Sequence, residues 1–275
     1  MNSMKISVLG CGWLGFPLAQ RLHSLGHTIK GSSTTENKLI TLEQNGIEPY
    51  LIHLPESIDE KSIQPFWQSD LLILNIPPGR GDKDALNNYP EIIRNVVQKC
   101  RENELNWIIF TSSTSVYSET GGFTTEEDSQ KGNASRPSGE VLLETEEIIH
   151  NSGIDFTILR LGGLYGYGRH PIHYLSGKKD LDGASKPVNL VHQVDCVNII
   201  SEVIQQKRRN AIYNVVSDGH PPRKAFYESA AKHFSLPVPH FKPTEQKEYR
   251  VISNQKIKDD LIYSFSYPNP MDHTP

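Results

Sequence analysis

Short apolar runs alternate along the chain with longer segments whose apolar residues return every three or four positions. Lys5–Leu9 is an apolar, β-rich run that ends at glycine, and residues 16–24 carry apolar side chains at helical spacing until Gly26-His27 stops them. This predicts strand, turn and helix. The same reading places a second strand ending near Lys30-Gly31, a helix from about Thr35, and a third strand over 48–52. Residues 71–76 form an apolar run broken by Pro77-Pro78, as expected of a strand covered on both faces of a parallel sheet. A helix over 90–100, a buried strand over 107–110, a helix over 141–150 and a strand over 155–159 continue the series. Such alternation implies an α/β fold: a doubly wound parallel sheet of Rossmann type, about seven strands, with helices on both faces.

After Arg160 the texture changes, with a Gly-rich stretch over 162–168 and a loop over 176–187. A helix over 194–205 and a strand over 212–216 then return to the first lobe. The expected organisation is a dinucleotide-binding domain over 1–165, rejoined by a strand near 211–217, and a small interleaved lobe over 166–275 on the substrate side. The net charge of −4 offers no general attraction to nucleic acid or anionic lipid, and Lys207-Arg208-Arg209 reads as a solvated turn after a helix. Cys11, Cys100 and Cys196 are too scattered for a disulfide framework or a zinc site, which fits a reducing compartment. Neither a leader-like segment nor a run of membrane-spanning length is evident, so a cytoplasmic protein is expected.

Gly10-Cys11-Gly12-Trp13-Leu14-Gly15 fits G-x-G-x-x-G, and it follows a predicted strand and opens a predicted helix. Gly10 would make the tight turn, Gly12 would let backbone approach a pyrophosphate, and Gly15 would let helix pack on strand. The loop residues Trp13 and Leu14 join this set, and the helix start offers unpaired N–H groups to phosphate. NAD-binding chains usually place an acid at the end of the second strand, about twenty residues beyond the glycines. Here Ser32, Ser33, Thr34 and Thr35, followed by Lys38, offer hydroxyls and a cation that suit the 2′-phosphate of NADP. Glu36 keeps NAD open, because shifting the strand end by two residues puts it in the acidic role. Ile76 and Pro77, at the end of their strand, are expected beside the cofactor. Cys11 at a helix start invites thiolate chemistry, although a small filler residue is the plainer reading.

Four further segments carry a resemblance. Phe110-Thr111-Ser112-Ser113-Thr114-Ser115-Val116-Tyr117 resembles the SSxxVYG strand end of the extended short-chain dehydrogenase/reductases, which include NAD-dependent epimerases and dehydratases. Arg160-Leu161-Gly162-Gly163-Leu164-Tyr165-Gly166 is similar to their RxxNVYGP turn, Asn189-Leu190-Val191-His192-Gln193-Val194-Asp195 to FIHVDDV, and Ile212-Tyr213-Asn214-Val215 to YNVG. More closely, Gly12-Trp13-Leu14-Gly15, residues 110–117, Gly168-Arg169-His170-Pro171 and residues 188–192 resemble the YeeZ-like atypical members.

The resemblance implies a cofactor lying along Thr111, Ser112, Gly162 and Gly163, with Ser113 at the family's catalytic serine. It also puts Ser138 where the family has its tyrosine and Leu142 where it has its lysine. The usual tyrosinate proton exchange cannot run unchanged with those residues. Tyr165 is the candidate substitute, with Tyr117 and His170 toward substrate, although packed aromatics with satisfied hydroxyls are the plainer reading of both tyrosines. Arg169 in its Gly-rich loop suits a substrate anion. His170 and His173 lack a third ligand, so no metal is expected. Asp195 reads as a first-turn helix acid and His192 as a tie between lobes. Two functions follow: an NAD(P)-dependent oxidoreductase or epimerase-like enzyme on a small polar substrate, or a cofactor-binding sensor without turnover. The resemblance is also compatible with a homodimer through helices that flank the sheet.

Overall fold

The computed structural model describes residues 3–79, 83–243 and 249–272. The first half of the chain forms β1 (Lys5–Leu9), α1 (Gly15–Ser24), β2 (Thr28–Ser33), α2 (Glu36–Gln44), β3 (Glu48–Leu51), α3 (Gln64–Trp67), β4 (Leu71–Leu74), α4 (Lys83–Glu102) and β5 (Trp107–Ser113). The second half adds β6 (Gly122–Thr124), α5 (Pro137–His150), β7 (Asp155–Leu161), β8 (Gly163–Tyr165), β9 (Leu190–His192), α6 (Gln193–Gln205), β10 (Ala211–Val215), α7 (Arg223–His233), β11 (Arg250–Ile252) and α8 (Gln255–Leu261). Seven strands make one parallel sheet in the order β3-β2-β1-β4-β5-β7-β10, the doubly wound arrangement expected from the alternation.

The strands are apolar on both faces because helices cover both. Leu71 and Ile73 of β4, with Trp107 and Ile109 of β5, face a core completed by Leu18 and Leu22 of α1, Ile200 of α6 and Ile257 of α8. Leu72, Leu74, Ile108 and Phe110 face the opposite way, against Phe66 and Trp67 of α3, Ile93 and Val97 of α4, and Leu142 and Ile149 of α5. The two-residue period of an extended strand thus assigns each position to one layer or the other. That alternation decides where the polar strand ends point.

Several boundaries differ from expectation. Helix α4 starts at Lys83 and carries Pro90 in its interior, so the proline does not mark a helix start; it forgoes one ladder hydrogen bond within a helix otherwise held by its buried face. Strands β2, β5 and β7 each run two or three residues further than their apolar runs; β2 and β5 end in polar residues and β7 takes in Arg160 before Leu161. Two parallel pairs, β6 with β11 and β8 with β9, were not anticipated, since three residues are too few to show a period. Among the described residues no helix is long and apolar enough to cross a membrane.

Candidate functional site

The carboxyl ends of β1, β2, β4 and β5 are tied into one frame. The Gly10 N–H donates to Ser32 Oγ at 2.8 Å and the Cys11 N–H to the Ser32 carbonyl at 2.9 Å. From the other side, Asn75 Nδ2 donates to the Gly10 carbonyl at 2.9 Å, and Thr111 Oγ1 donates to Asn75 Oδ1 at 3.0 Å. Asn75 was missed from sequence. Its signal was a polar residue directly after the all-apolar β4 and before Ile76-Pro77.

Two of the three loop glycines are required by this frame. Gly10 has φ +104°, and a Cβ there would stand 2.6 Å from the Asn75 carbonyl oxygen; a Cβ on Gly15 would stand 2.1 Å from the Gly10 carbonyl oxygen. Gly12 differs: a Cβ there meets nothing within 4 Å. The start of α1 has no side-chain cap; the Phe16 N–H donates to the Gly12 carbonyl at 3.0 Å and the Leu18 N–H to the Leu14 carbonyl at 3.2 Å. Leu14 is buried in the core and offers only backbone to that space. Trp13 reaches the turn after β8, where its indole N–H donates to the Tyr167 carbonyl at 2.9 Å and Arg169 stacks over its ring at 5.0 Å. Its own carbonyl accepts from Gln193 Nε2. Cys11 is buried, and loss of hydration pushes its thiol up to about 12, which corrects any thiolate role and leaves a filler residue.

At the ribose end stands Ser32. It is buried, and its hydroxyl already accepts from Gly10, so it buttresses the loop. Ser33 Oγ accepts the Thr35 N–H at 3.0 Å. Thr34, Thr35 and Lys38 are exposed around the start of α2, and Glu36 is its first residue. Ile76 is half-buried and its carbonyl accepts from Tyr89 Oη at 2.7 Å, while Pro77 is exposed.

At the ends of β5 and β7 the polar groups turn inward. Ser112, expected beside the cofactor, falls on the α5 side of the sheet, and its hydroxyl donates to Glu146 Oε1 at 2.5 Å. Glu146 pairs with buried Arg160 at 2.7 Å. The guanidinium also donates to Tyr117 Oη at 2.8 Å, to the Glu126 carbonyl at 2.8 Å and to Ser129 Oγ at 3.0 Å. Tyr117 in turn donates to Asn214 Oδ1 at 2.6 Å. Burial pushes its phenol up to about 12 even against the nearby Arg160 charge, and its hydroxyl is held between the Arg160 guanidinium and Asn214.

Tyr165 is fully buried, with its ring edge on His192 at 5.0 Å, and burial raises its phenol above the usual range despite a lowering contribution from Ser217. His170 caps the turn 171–174 by accepting the Ile172 N–H at 3.2 Å, and its ring stacks on Phe226 at 5.5 Å. Tyr165, expected as the substitute acid or base, and His170, expected toward substrate, are thus both buried among aromatic rings, and the Tyr165 hydroxyl has no hydrogen-bond partner among the described residues. Gly162 and Gly163 also have protein reasons: a Cβ would stand 2.8 Å from the Asn189 carbonyl oxygen and 2.6 Å from Leu190 Cδ2 respectively. Ser113 is half-buried at the end of β5 and accepts the Ser115 N–H at 3.2 Å, which leaves its own hydrogen available. Ser138 lies in the first turn of α5 and Leu142 is buried in the core. His192 caps α6 and stacks on Tyr267 at 3.7 Å. Asp195, in the first turn of α6, accepts from Tyr263 Oη at 2.7 Å and from the N–H groups of Ser266 and Tyr267 at 2.7 and 3.0 Å. Among the described residues, no three His, Cys, Asp or Glu side chains gather as a metal site.

No family model matches the chain. It is 34% identical to protein YeeZ of Escherichia coli K12 over 272 residues, covering 97% of both chains. Among solved structures it superposes on the UDP-glucuronic acid 4-epimerase of Bacillus cereus in complex with NAD, with a TM-score of 0.80, 20% identity and 98% and 95% coverage. The UDP-N-acetylglucosamine 4-epimerase of the same organism gives 0.78 at 17% identity, with 98% of each chain covered. A short-chain dehydrogenase/reductase superfamily protein of Agrobacterium tumefaciens with bound NAD gives 0.75 at 18% identity, covering 98% and 94%.

Proposed function

The chain belongs to the YeeZ family, within the atypical extended short-chain dehydrogenase/reductases, and on that footing we propose that its glycine loop holds the pyrophosphate of a nicotinamide dinucleotide. The observation that carries this reading is Gly12. Packing and φ account for Gly10 and Gly15, whereas Gly12 has neither reason, and a Cβ there would enter open space beside the uncapped start of α1. Such a glycine, set in a G-x-G-x-x-G loop between a strand and a helix, fits close approach of a pyrophosphate to the backbone. Thr34, Thr35 and Lys38 favour NADP, since an exposed cation and hydroxyls at a helix start suit a 2′-phosphate. Such a cofactor supplies a hydride acceptor or donor.

For function we favour an oxidoreductase or epimerase-like enzyme of the cytosol acting on a small polar substrate. Ser113 remains at the end of β5 with a hydroxyl hydrogen to offer a substrate oxygen. A non-catalytic NADP sensor is the second reading, favoured by Leu142, which fills the core where the family has its lysine. Titration of the purified chain with NADPH and NADH, followed through energy transfer from Trp13, tests the cofactor assignment. Saturable NADPH binding with NADH weaker supports it; binding of neither overturns it. Turnover in a substrate screen then separates enzyme from sensor.

A further inference from the structure

Trp13 stands in the glycine loop just before α1, and its carbonyl lacks the partner that a helix start would give it. The rungs on either side are present, from the Phe16 N–H to the Gly12 carbonyl and from the Leu18 N–H to the Leu14 carbonyl. The rung between them would come from residue 17, which is proline and has no N–H to give. Gln193, the first residue of α6, supplies the missing donor from 180 positions away, with Nε2 at 2.5 Å from the Trp13 carbonyl oxygen. Gln193 is itself fixed in place. It is buried, and a Cβ on Gly166, in the turn after β8, would stand 3.0 Å from Gln193 Cβ. The same turn fastens the Trp13 side chain through the Tyr167 carbonyl and the Arg169 guanidinium.

What these contacts hold is a peptide plane. A trans peptide carries its C=O and the following N–H on opposite sides, so whatever turns the Trp13 carbonyl toward α6 turns the Leu14 N–H away from it. That N–H lies ahead of the first turn of α1, where the unpaired donors of a helix start point. Among the described residues it meets no acceptor. With Pro17 in the helix, the Gln193 amide stands in for the rung that would otherwise fix this plane.

We propose that Gln193 is a positioning residue for the dinucleotide: by holding the Trp13 carbonyl it presents the Leu14 N–H to the pyrophosphate. This rests on the reading of the glycine loop as the pyrophosphate site. A donor that is already oriented needs less ordering on binding, so losing the Gln193 amide weakens the dinucleotide by way of the backbone.

The test is titration calorimetry of the full chain with oxidised NADP and, in parallel, NAD, at about pH 8 and about pH 5, in wild type, Gln193→Met and Gln193→Glu. Methionine keeps the length and loses the donor. Glutamate keeps the shape: its carboxylate cannot donate, whereas its carboxylic acid offers an O–H in place of the amide, and burial raises the pH at which the proton is taken up. The dinucleotide that wild type binds more tightly should bind about tenfold more weakly to Gln193→Met at both pH values. Gln193→Glu should lose at least as much at the higher pH and return to within about threefold of wild type at the lower. Reading each variant against wild type at the same pH cancels the response of other ionisable groups, His192, Asp195 and Arg169 included. The recovery is measured within one chain, so it decides the matter even if Gln193→Met folds poorly. Binding to Gln193→Met as tight as to wild type, or no recovery of Gln193→Glu relative to wild type at the lower pH, overturns the inference. If Gly12→Val abolishes binding while both Gln193 variants bind normally, the inference alone fails and the pyrophosphate assignment stands. Absence of binding of either dinucleotide to wild type overturns both.

Discussion

The two halves of the sheet put similar-looking residues to opposite uses. At the ends of β1, β2 and β4, hydroxyl, amide and backbone groups brace a loop in which Gly12 is half-buried with free space around its Cα, while Gly15 at the start of α1 is buried. At the ends of β5 and β7, Ser112, Tyr117, Asn214, Glu126 and Glu146 turn inward and enclose Arg160. A serine or tyrosine at a strand end is thus no guide to chemistry by itself. What decides its fate is which layer the strand period sends it to and whether a buried charge there needs partners.

Four substitutions sharpen that contrast. Arg160→Ala should have the largest effect, about 3–5 kcal/mol of stability measured by denaturant unfolding, because Glu146 is left buried without its cation. A loss under about 1 kcal/mol would mean that the network is not the internal clamp described. Gly12→Val should lower NADPH affinity at least about a hundredfold, near 2.7 kcal/mol, with stability unchanged within about 0.5 kcal/mol. Unchanged affinity would remove the distinction between the two halves. Tyr117→Phe should cost about 1–2 kcal/mol of stability and leave NADPH affinity as it was, since its hydroxyl serves Arg160 and Asn214. If the unfolding midpoint holds while binding or turnover falls, Tyr117 belongs to the site after all. Lys38→Ala is the mildest, an expected loss of about fivefold in NADPH affinity that shrinks in high salt and is absent for NADH.

Much of the sheet was legible because parallel strands covered on both faces are continuous apolar runs, and such runs are hard to mistake. The glycine loop was legible for a related reason: its spacing coincided with a strand before and a helix after. The direction of the Ser112 side chain was not read although the information was present. Trp107 and Ile109 face one layer and Ile108 and Phe110 the other, so carrying the same count forward sends Ser112 toward α5. Tyr117 and Arg160 could not be joined in this way, since 43 residues separate them and only the register of β5 with β7 brings them together. The pairing of Glu119 with both Lys186 and Arg250 was equally out of reach, because it depends on strands three residues long that show no period.

Asp195 bears on how the chain is made. Its carboxylate is fully buried, and the donors that hold it, Tyr263, Ser266 and Tyr267, are translated some seventy residues later. During vectorial synthesis, α6 cannot settle on the sheet without stranding a bare charge, so a nascent chain halted before Tyr263 should stay loose around α6 and accessible to protease. Emergence of residues 263–267 then closes the shell of donors around that carboxylate and acts as the latch.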